Sequence, residues 1–237
     1  MDTVLTFTGV SKAYGKNKLA LDSLDLTLPK GKIIGLLGPN GSGKTTFLKL
    51  CAGLLTPSAG KIDICGMPVG AGTKAVVSYL PDRSYLSNSQ TIRQQLNYFK
   101  DFYADFDYAR AESMLEKLSI DPKQRYGSLS KGNKEKVQLV LVMSRRAKLY
   151  LLDEPIGGVD PAARDYILNT IVTNYDPEAT VVISTHLIAD VESVLDEYIF
   201  LSQGKILQTG TVDEAREQSG KSLDEQFREV FKCLVNF

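Results

Sequence analysis

Cysteine is scarce in this 237-residue chain: only Cys51, Cys65 and Cys233 occur, with no C-x-x-C pair. An odd, scattered set of thiols suggests neither a disulfide framework nor a cysteine-built zinc site, and a reduced cytosolic setting fits best. Charge of one sign is also missing, since 28 basic residues balance 28 acidic ones. Net charge therefore gives no sign of a nucleic-acid partner or an acidic membrane surface. Long hydrophobic runs are absent. The most apolar stretch near the middle, Val137–Met143, falls far short of the roughly 20 residues needed to cross a bilayer. Met1-Asp2-Thr3-Val4 has neither the basic nor the apolar part of a secretory signal. If a membrane is involved, another chain is expected to supply the span. Repeats, low-complexity tracts and Gly/Ser linkers are lacking too.

What is present suffices for one large domain or a core with a subdomain, because 43% of the residues are hydrophobic. Val4–Gly9, Ala20–Leu28, Lys32–Leu37, Lys61–Cys65 and Val76–Leu80 read as strands, and Thr45–Leu55 as a helix. From Thr91 to about Met143 the apolar spacing turns helical, with Ile92, Leu96, Phe99 and Tyr103 on one face. Strand patterns return at Leu149–Leu152, Thr180–Ser184 and Tyr198–Leu201. Helices are expected over Pro161–Tyr175, His186–Leu195 and Ser222–Leu234, and a hairpin-like end at Gly204–Gly210. This alternation predicts an α/β fold. Its mostly parallel sheet carries an antiparallel N-terminal β portion and an inserted α-helical subdomain. Residues 1–83 and 145–237 would form the core and 84–144 the subdomain.

Two motifs carry chemistry. Gly38-Pro39-Asn40-Gly41-Ser42-Gly43-Lys44-Thr45 fits G-x-x-x-x-G-K-[ST], between an apolar strand and an amphipathic helix. Its glycines let backbone N–H groups turn toward phosphate oxygens, and the helix that follows aims its positive end at the same anion. Lys44 is expected at the β- and γ-phosphates and the Thr45 hydroxyl on Mg²⁺. The second motif is the apolar strand Leu149-Tyr150-Leu151-Leu152, which ends in Asp153 and Glu154. Ligands of open α/β sheets gather at such carboxyl ends. Alternation along a strand gives the two acids different roles, one toward Mg²⁺ and the other toward the attacking water.

Together these residues resemble the ATPase subunit of ATP-binding cassette (ABC) transporters over nearly the whole chain, which implies a fold of the P-loop NTPase type with 1–83 and 145–237 as the nucleotide-binding core. Gly38 to Thr46 resembles the Walker A loop, and Leu149–Glu154 resembles Walker B with its catalytic glutamate. Leu129-Ser130-Lys131-Gly132-Asn133 resembles the LSGGQ signature, Gly158-Val159-Asp160 the D-loop, and Ser184-Thr185-His186 the switch-histidine segment. The resemblance implies ATP and Mg²⁺ as cofactors, with Glu154, His186 and Lys44 as catalytic groups. It places Tyr14 on the adenine and gives Thr45, Asp82 and Asp153 to the metal. It also implies that Ser130 and Gly132 cap the ATP of a second ATPase subunit, so that two chains close head to tail on two nucleotides. Separate membrane-spanning subunits would be driven from the inner face of the membrane. Docking is expected near Asp82–Gln95, through residues such as Tyr85, Leu86 and Tyr98.

The chain departs from the family pattern at Asp82, where glutamine is usual, and in the signature, where Lys131 and Asn133 replace glycine and glutamine. Aspartate is shorter than glutamine and has no N–H to donate. Two other readings follow from the same motifs. One is a soluble ABC ATPase working on a macromolecular partner, and the other is a non-enzymatic nucleotide sensor. The single-cassette length and neutral charge disfavour the first. The presence of Lys44, Thr45, Asp153, Glu154 and His186 together disfavours the second.

Overall fold

Five strands are buried on both faces, and their residues alternate between two hydrophobic cores. The computed structural model describes residues 3–15, 18–159 and 161–235. Strand β3 (Ile33–Leu37) shows the pattern: Ile34 and Leu36 join one core, while Ile33 and Leu37 join the other. Strands β7 (Leu149–Asp153) and β8 (Thr180–Thr185) alternate in the same way. Burial on both sides is what allows near-continuous apolar runs in parallel strands.

The chain starts with β1 (Thr3–Tyr14) and β2 (Lys18–Pro29), which pair antiparallel before β3 leads into the phosphate loop. Helix α1 (Lys44–Cys51) follows, then β4 (Ala59–Ile64), the short β5 (Met67–Pro68) and β6 (Val77–Leu80). Three helices come next: α2 (Ile92–Phe102), α3 (Tyr108–Lys117) and α4 (Lys131–Met143). Beyond β7 come α5 (Pro161–Asn174), β8, α6 (Ile188–Val191), β9 (Glu197–Ser202) and β10 (Lys205–Thr211). Helices α7 (Val212–Ser219) and α8 (Leu223–Val235) complete the order.

Two sheets result. The antiparallel one runs β2-β1-β4-β5 and the larger one β10-β9-β3-β8-β7-β6. In the larger sheet only the β9–β10 hairpin is antiparallel, and every other pairing is parallel. Helix α1 lies in the core shared by both sheets, where Phe47 stacks on Phe7 at 4.5 Å between ring centroids. An aromatic pair of this kind contributes about 0.5–1.5 kcal/mol beyond its buried area. It fixes the helix that follows the phosphate loop. The other face of the larger sheet packs on α2 to α5 and on the C-terminal helices. Side-chain caps start α2, α3 and α4: Thr91 with Gln94 in a reciprocal capping box, then Asp107 and Ser130.

Several boundaries differ from the sequence expectation. The expected helix His186–Leu195 is helical only over Ile188–Val191, followed by a tight turn at Glu192–Val194. Its start is delayed because the Leu187 N–H donates to the Thr185 hydroxyl at 3.0 Å, which leaves His186 in a turn. Helix α1 stops at Cys51 rather than Leu55, and Gly53 takes a left-handed φ of 66°. Helix α7 was not foreseen. Its sequence Val-Asp-Glu-Ala-Arg-Glu-Gln-Ser is mostly polar, and its signal is the Thr211 cap on Glu214 N–H.

Candidate functional site

The loop between β3 and α1 is held open by bare glycine. A Cβ on Gly38 would run into the Leu201 carbonyl, and one on Gly43 would lie 2.6 Å from the Ala20 carbonyl oxygen. Gly43 also has φ 113°, a conformation that side chains strain to adopt. Unlike α2 to α4, helix α1 has no side-chain cap. Its first-turn N–H groups are left for an external anion. Lys44 is 6% exposed and folds back along the loop, donating to the Gly38 carbonyl at 2.7 Å and the Pro39 carbonyl at 3.3 Å. Its Nζ also lies 3.6 Å from Glu154 Oε1. Burial lowers its pKa, and the Glu154 and Asp153 charges oppose that shift.

Asp153 closes β7 and is 1% exposed. Its Oδ1 accepts from Ser184 Oγ at 2.6 Å and from Thr45 Oγ1 at 3.3 Å, whereas its Oδ2 is buried with no partner. Burial pushes this carboxyl above its ordinary range, against the two hydroxyl bonds. An orphaned carboxylate oxygen beside a threonine hydroxyl is an all-oxygen donor set, the kind a hard cation such as Mg²⁺ takes. The residues present therefore fit the ion the motif implies.

Glu154 departs from the strand rule. The backbone turns left-handed there, with φ 49°, while Glu154 N–H donates to the Ser184 carbonyl at 2.9 Å. Strict alternation would send neighbouring acids to opposite faces. The turn instead brings Asp153 and Glu154 to the walls of one common recess. The Glu154 carboxylate is gripped by His186 Nδ1 at 3.0 and 3.1 Å and by the Thr185 hydroxyl at 3.1 Å. The only histidine of the chain is thus bonded directly to the predicted base.

These groups surround a cleft of about 540 Å³. Tyr14 stands at one end, and Lys44, Thr45, Glu154, His186 and Asp82 line the other parts. Asn40, Gly41, Gly43 and Thr46 lie along the floor, and Ala20 of β2 joins them. Tyr14 is 45% exposed, and its hydroxyl is 3.5 Å from Thr46 Oγ1, so its ring is open to a flat ligand. The structure does not bring Ser130 or Gly132 to this cleft. Ser130 caps α4, accepting from the Asn133 N–H at 3.3 Å, and Lys131 Nζ lies 3.4 Å from the Gly158 carbonyl. Asp160 lies outside the described residues. Ser184 and Thr185, which hold Asp153 and Glu154 here, have no role of their own in the sequence motifs, although two hydroxyls at the end of an apolar strand are a visible signal.

A second groove, of about 640 Å³, runs beside α2. Tyr85, Tyr98 and Phe102 are exposed in it, and Lys49, Lys74 and Arg83 rim it. Leu86, expected on a docking surface, is instead buried in the core, because it packs with the apolar face of α2.

Residues 21–157 match the family model described as "ABC transporter". The chain belongs to that family. Its activity is the binding and hydrolysis of ATP coupled to transport. The ABC transporter ATP-binding protein YhaQ of Bacillus subtilis (strain 168) is 30% identical, with the alignment covering 92% of this chain and 74% of that protein. The daunorubicin resistance ATP-binding protein DrrA3 of Streptomyces coeruleorubidus is 31% identical over 97% of this chain and 75% of its own. The SkfA peptide export ATP-binding protein SkfE of B. subtilis (strain 168) is 32% identical over 95% and 94%. Among solved structures, an ATP-binding subunit of an ABC transporter superposes with a TM-score of 0.86 at 28% identity, covering 97% of this chain and 100% of that one. A nucleotide-free ATP-binding cassette shares the fold with a TM-score of 0.77 at 21% identity, over 91% of this chain and 94% of its own.

Proposed function

We propose that this ABC ATPase holds its nucleotide with the adenine on Tyr14 and the phosphates over Gly38–Thr46, and that Glu154 is the general base. The observation carrying this assignment is the Glu154 carboxylate, fixed by His186 and Thr185 on the same cleft that Lys44 and Thr45 line. Lys44, freed from the Gly38 and Pro39 carbonyls, reaches the terminal phosphates. Thr45 and Asp153, with Asp82 nearby, would hold Mg²⁺, which when bound would supply neutralisation of phosphate charge. Glu154 takes the proton of the attacking water, and His186 holds that carboxylate toward the γ-phosphate.

Residues 1–83 and 145–237 act as the nucleotide core and 84–144 as the subdomain that carries Ser130 and Gly132. Neither signature residue lines its own cleft, and both lie at the start of the 13-residue α4, which supports their capping the ATP of a second copy. The groove of Tyr85, Tyr98 and Phe102 receives a segment of a membrane-spanning partner, and its basic rim suits acidic residues on that segment. Among the described residues no helix is long and apolar enough to cross a membrane. The chain acts peripherally, on the inner face of the cell membrane.

Magnesium-dependent hydrolysis of ATP by the purified chain, alone and with its membrane partner, tests the assignment. The expected outcome is phosphate release that needs both ATP and Mg²⁺. No magnesium-dependent nucleotide affinity under either condition would overturn it.

A further inference from the structure

Next to the phosphate cleft lies a much smaller cavity of about 30 Å³, where α4 meets the carboxyl ends of β6 and β7. Its wall includes Asp82, Glu135, Gln138, Asp153 and Glu154, and no lysine, arginine or histidine. Three of these residues each carry a buried oxygen with no hydrogen-bond partner: Glu135 Oε2, Gln138 Oε1 and Asp153 Oδ2. Gln138 and Asp153 are 6% and 1% exposed, so bulk water does not reach these atoms. The Gln138 amide is oriented by its Nε2, which donates to the Lys134 carbonyl at 3.5 Å, and this leaves the oxygen free.

All three orphans are acceptors. A buried acceptor without a donor is destabilising, and more so when charged. The cavity has room for about one water, which brings only two protons. One isolated water also brings no positive charge to the four carboxyl groups of this wall, Asp82, Glu135, Asp153 and Glu154. Water polarised by a cation, together with the cation's own charge, meets all three.

We propose that Glu135 and Gln138 are outer-sphere holders of the nucleotide's divalent cation: water bound to the ion at Asp153 donates to Gln138 Oε1 and Glu135 Oε2. This rests on the reading above that Asp153 faces the cation. Both side chains sit on α4, Glu135 about one turn and Gln138 about two turns beyond Ser130, so the helix that bears the signature also positions the metal. They are positioning residues and touch no reacting atom. Partners of this outer kind fix the inner ligands and set metal affinity.

The test is Mn²⁺ titration of the full chain, followed by electron paramagnetic resonance, with a non-hydrolysable ATP analogue bound. Glu135→Leu and Gln138→Leu, which remove the acceptor oxygens, are each expected to weaken Mn²⁺ binding about tenfold. Analogue affinity in the presence of a chelator is expected to stay unchanged. Gln138→Glu keeps an acceptor oxygen in place and is expected to restore wild-type affinity for the metal. Glu116→Gln, an exposed charge change on α3, controls for net charge. Wild-type Mn²⁺ affinity in Glu135→Leu and in folded Gln138→Leu would overturn the proposal, and so would equal weakening by Glu116→Gln. Should Gln138→Leu fail to fold, Glu135→Leu, at a half-buried position, decides alone. Failure of the wild-type protein to bind metal and analogue together would refute the nucleotide reading instead.

Discussion

Replacing Glu154 by glutamine separates binding from chemistry. The two side chains have the same shape, and an amide oxygen can still accept from the Thr185 hydroxyl, now at 3.1 Å from Oε2. What is lost is the basic oxygen and one negative charge beside Lys44, whose Nζ lies 3.6 Å from Oε1. A positioned general base is worth about 10²–10⁴ in rate, or roughly 3–5 kcal/mol of barrier at 1.36 kcal/mol per tenfold. Ground-state binding loses nothing of that size, since a carboxylate repels the phosphates that Lys44 attracts. Without nucleotide, Glu154 is the strongest charge opposing the desolvation of Lys44, and in the complex the phosphates take over that duty. Phosphate release in single turnover, together with equilibrium binding of ATP, measures both sides. The expected result is a fall in kcat of at least about a hundredfold. The dissociation constant should stay within about threefold, a change under 1 kcal/mol. Turnover within tenfold of wild type would remove Glu154 from the role of base.

Asp153→Asn should raise the thermal stability of the nucleotide-free chain while weakening metal-dependent ATP binding. The folded state holds the Asp153 proton to higher pH than the unfolded chain does, so its cost appears as pH rises above the ordinary aspartate range. Relief of about 1 kcal/mol corresponds to roughly 2–4 °C in Tm at pH 7, and the advantage should vanish toward acid in a pH series of melts. His186→Ala removes a hydrogen bond to a charged group, worth about 1.5–3 kcal/mol, so kcat should fall roughly ten- to 150-fold with ATP affinity retained. Phe47→Ala empties a fully buried site stacked on Phe7 and should cost about 3–5 kcal/mol in chemical denaturation. Tyr98→Ala with Phe102→Ala alters only exposed rings, so isolated ATPase activity should hold while co-purification with the membrane partner is lost.

The architecture was readable because burial leaves a periodic trace. Runs such as Ile33–Leu37 and Thr180–Thr185 are apolar throughout since both faces of the larger sheet are covered. The phosphate loop was readable because only glycine can occupy Gly38 and Gly43. Less was visible where polar contacts, not apolar spacing, set the backbone. The Thr185 hydroxyl delays α6, and the Thr211 cap starts a polar helix. Glu135 and Gln138 were invisible for another reason. On a helix they read as a solvated face, and only packing against β6 and β7 encloses their oxygens with Asp153.

The geometry at Glu154 shows how one strained residue links these levels. A non-glycine residue at φ 49° costs of the order of 1–3 kcal/mol, so the surroundings must enforce it. They do so from both sides: Ser184 takes the Glu154 N–H, and the Gly157 N–H donates back to the Glu154 carbonyl at 2.9 Å. The side chain is then pinned by Thr185 and His186, successors of Ser184 on the neighbouring strand end. Strand β8 therefore sets the backbone turn through Ser184, the carboxylate through the next two residues, and the Asp153 oxygen through the same Ser184 hydroxyl. Strain concentrated at the junction of two parallel strands turns alternating acids into a pair on one recess. An ordinary strand end could not supply the proposed metal-facing oxygen and the proposed base from consecutive residues.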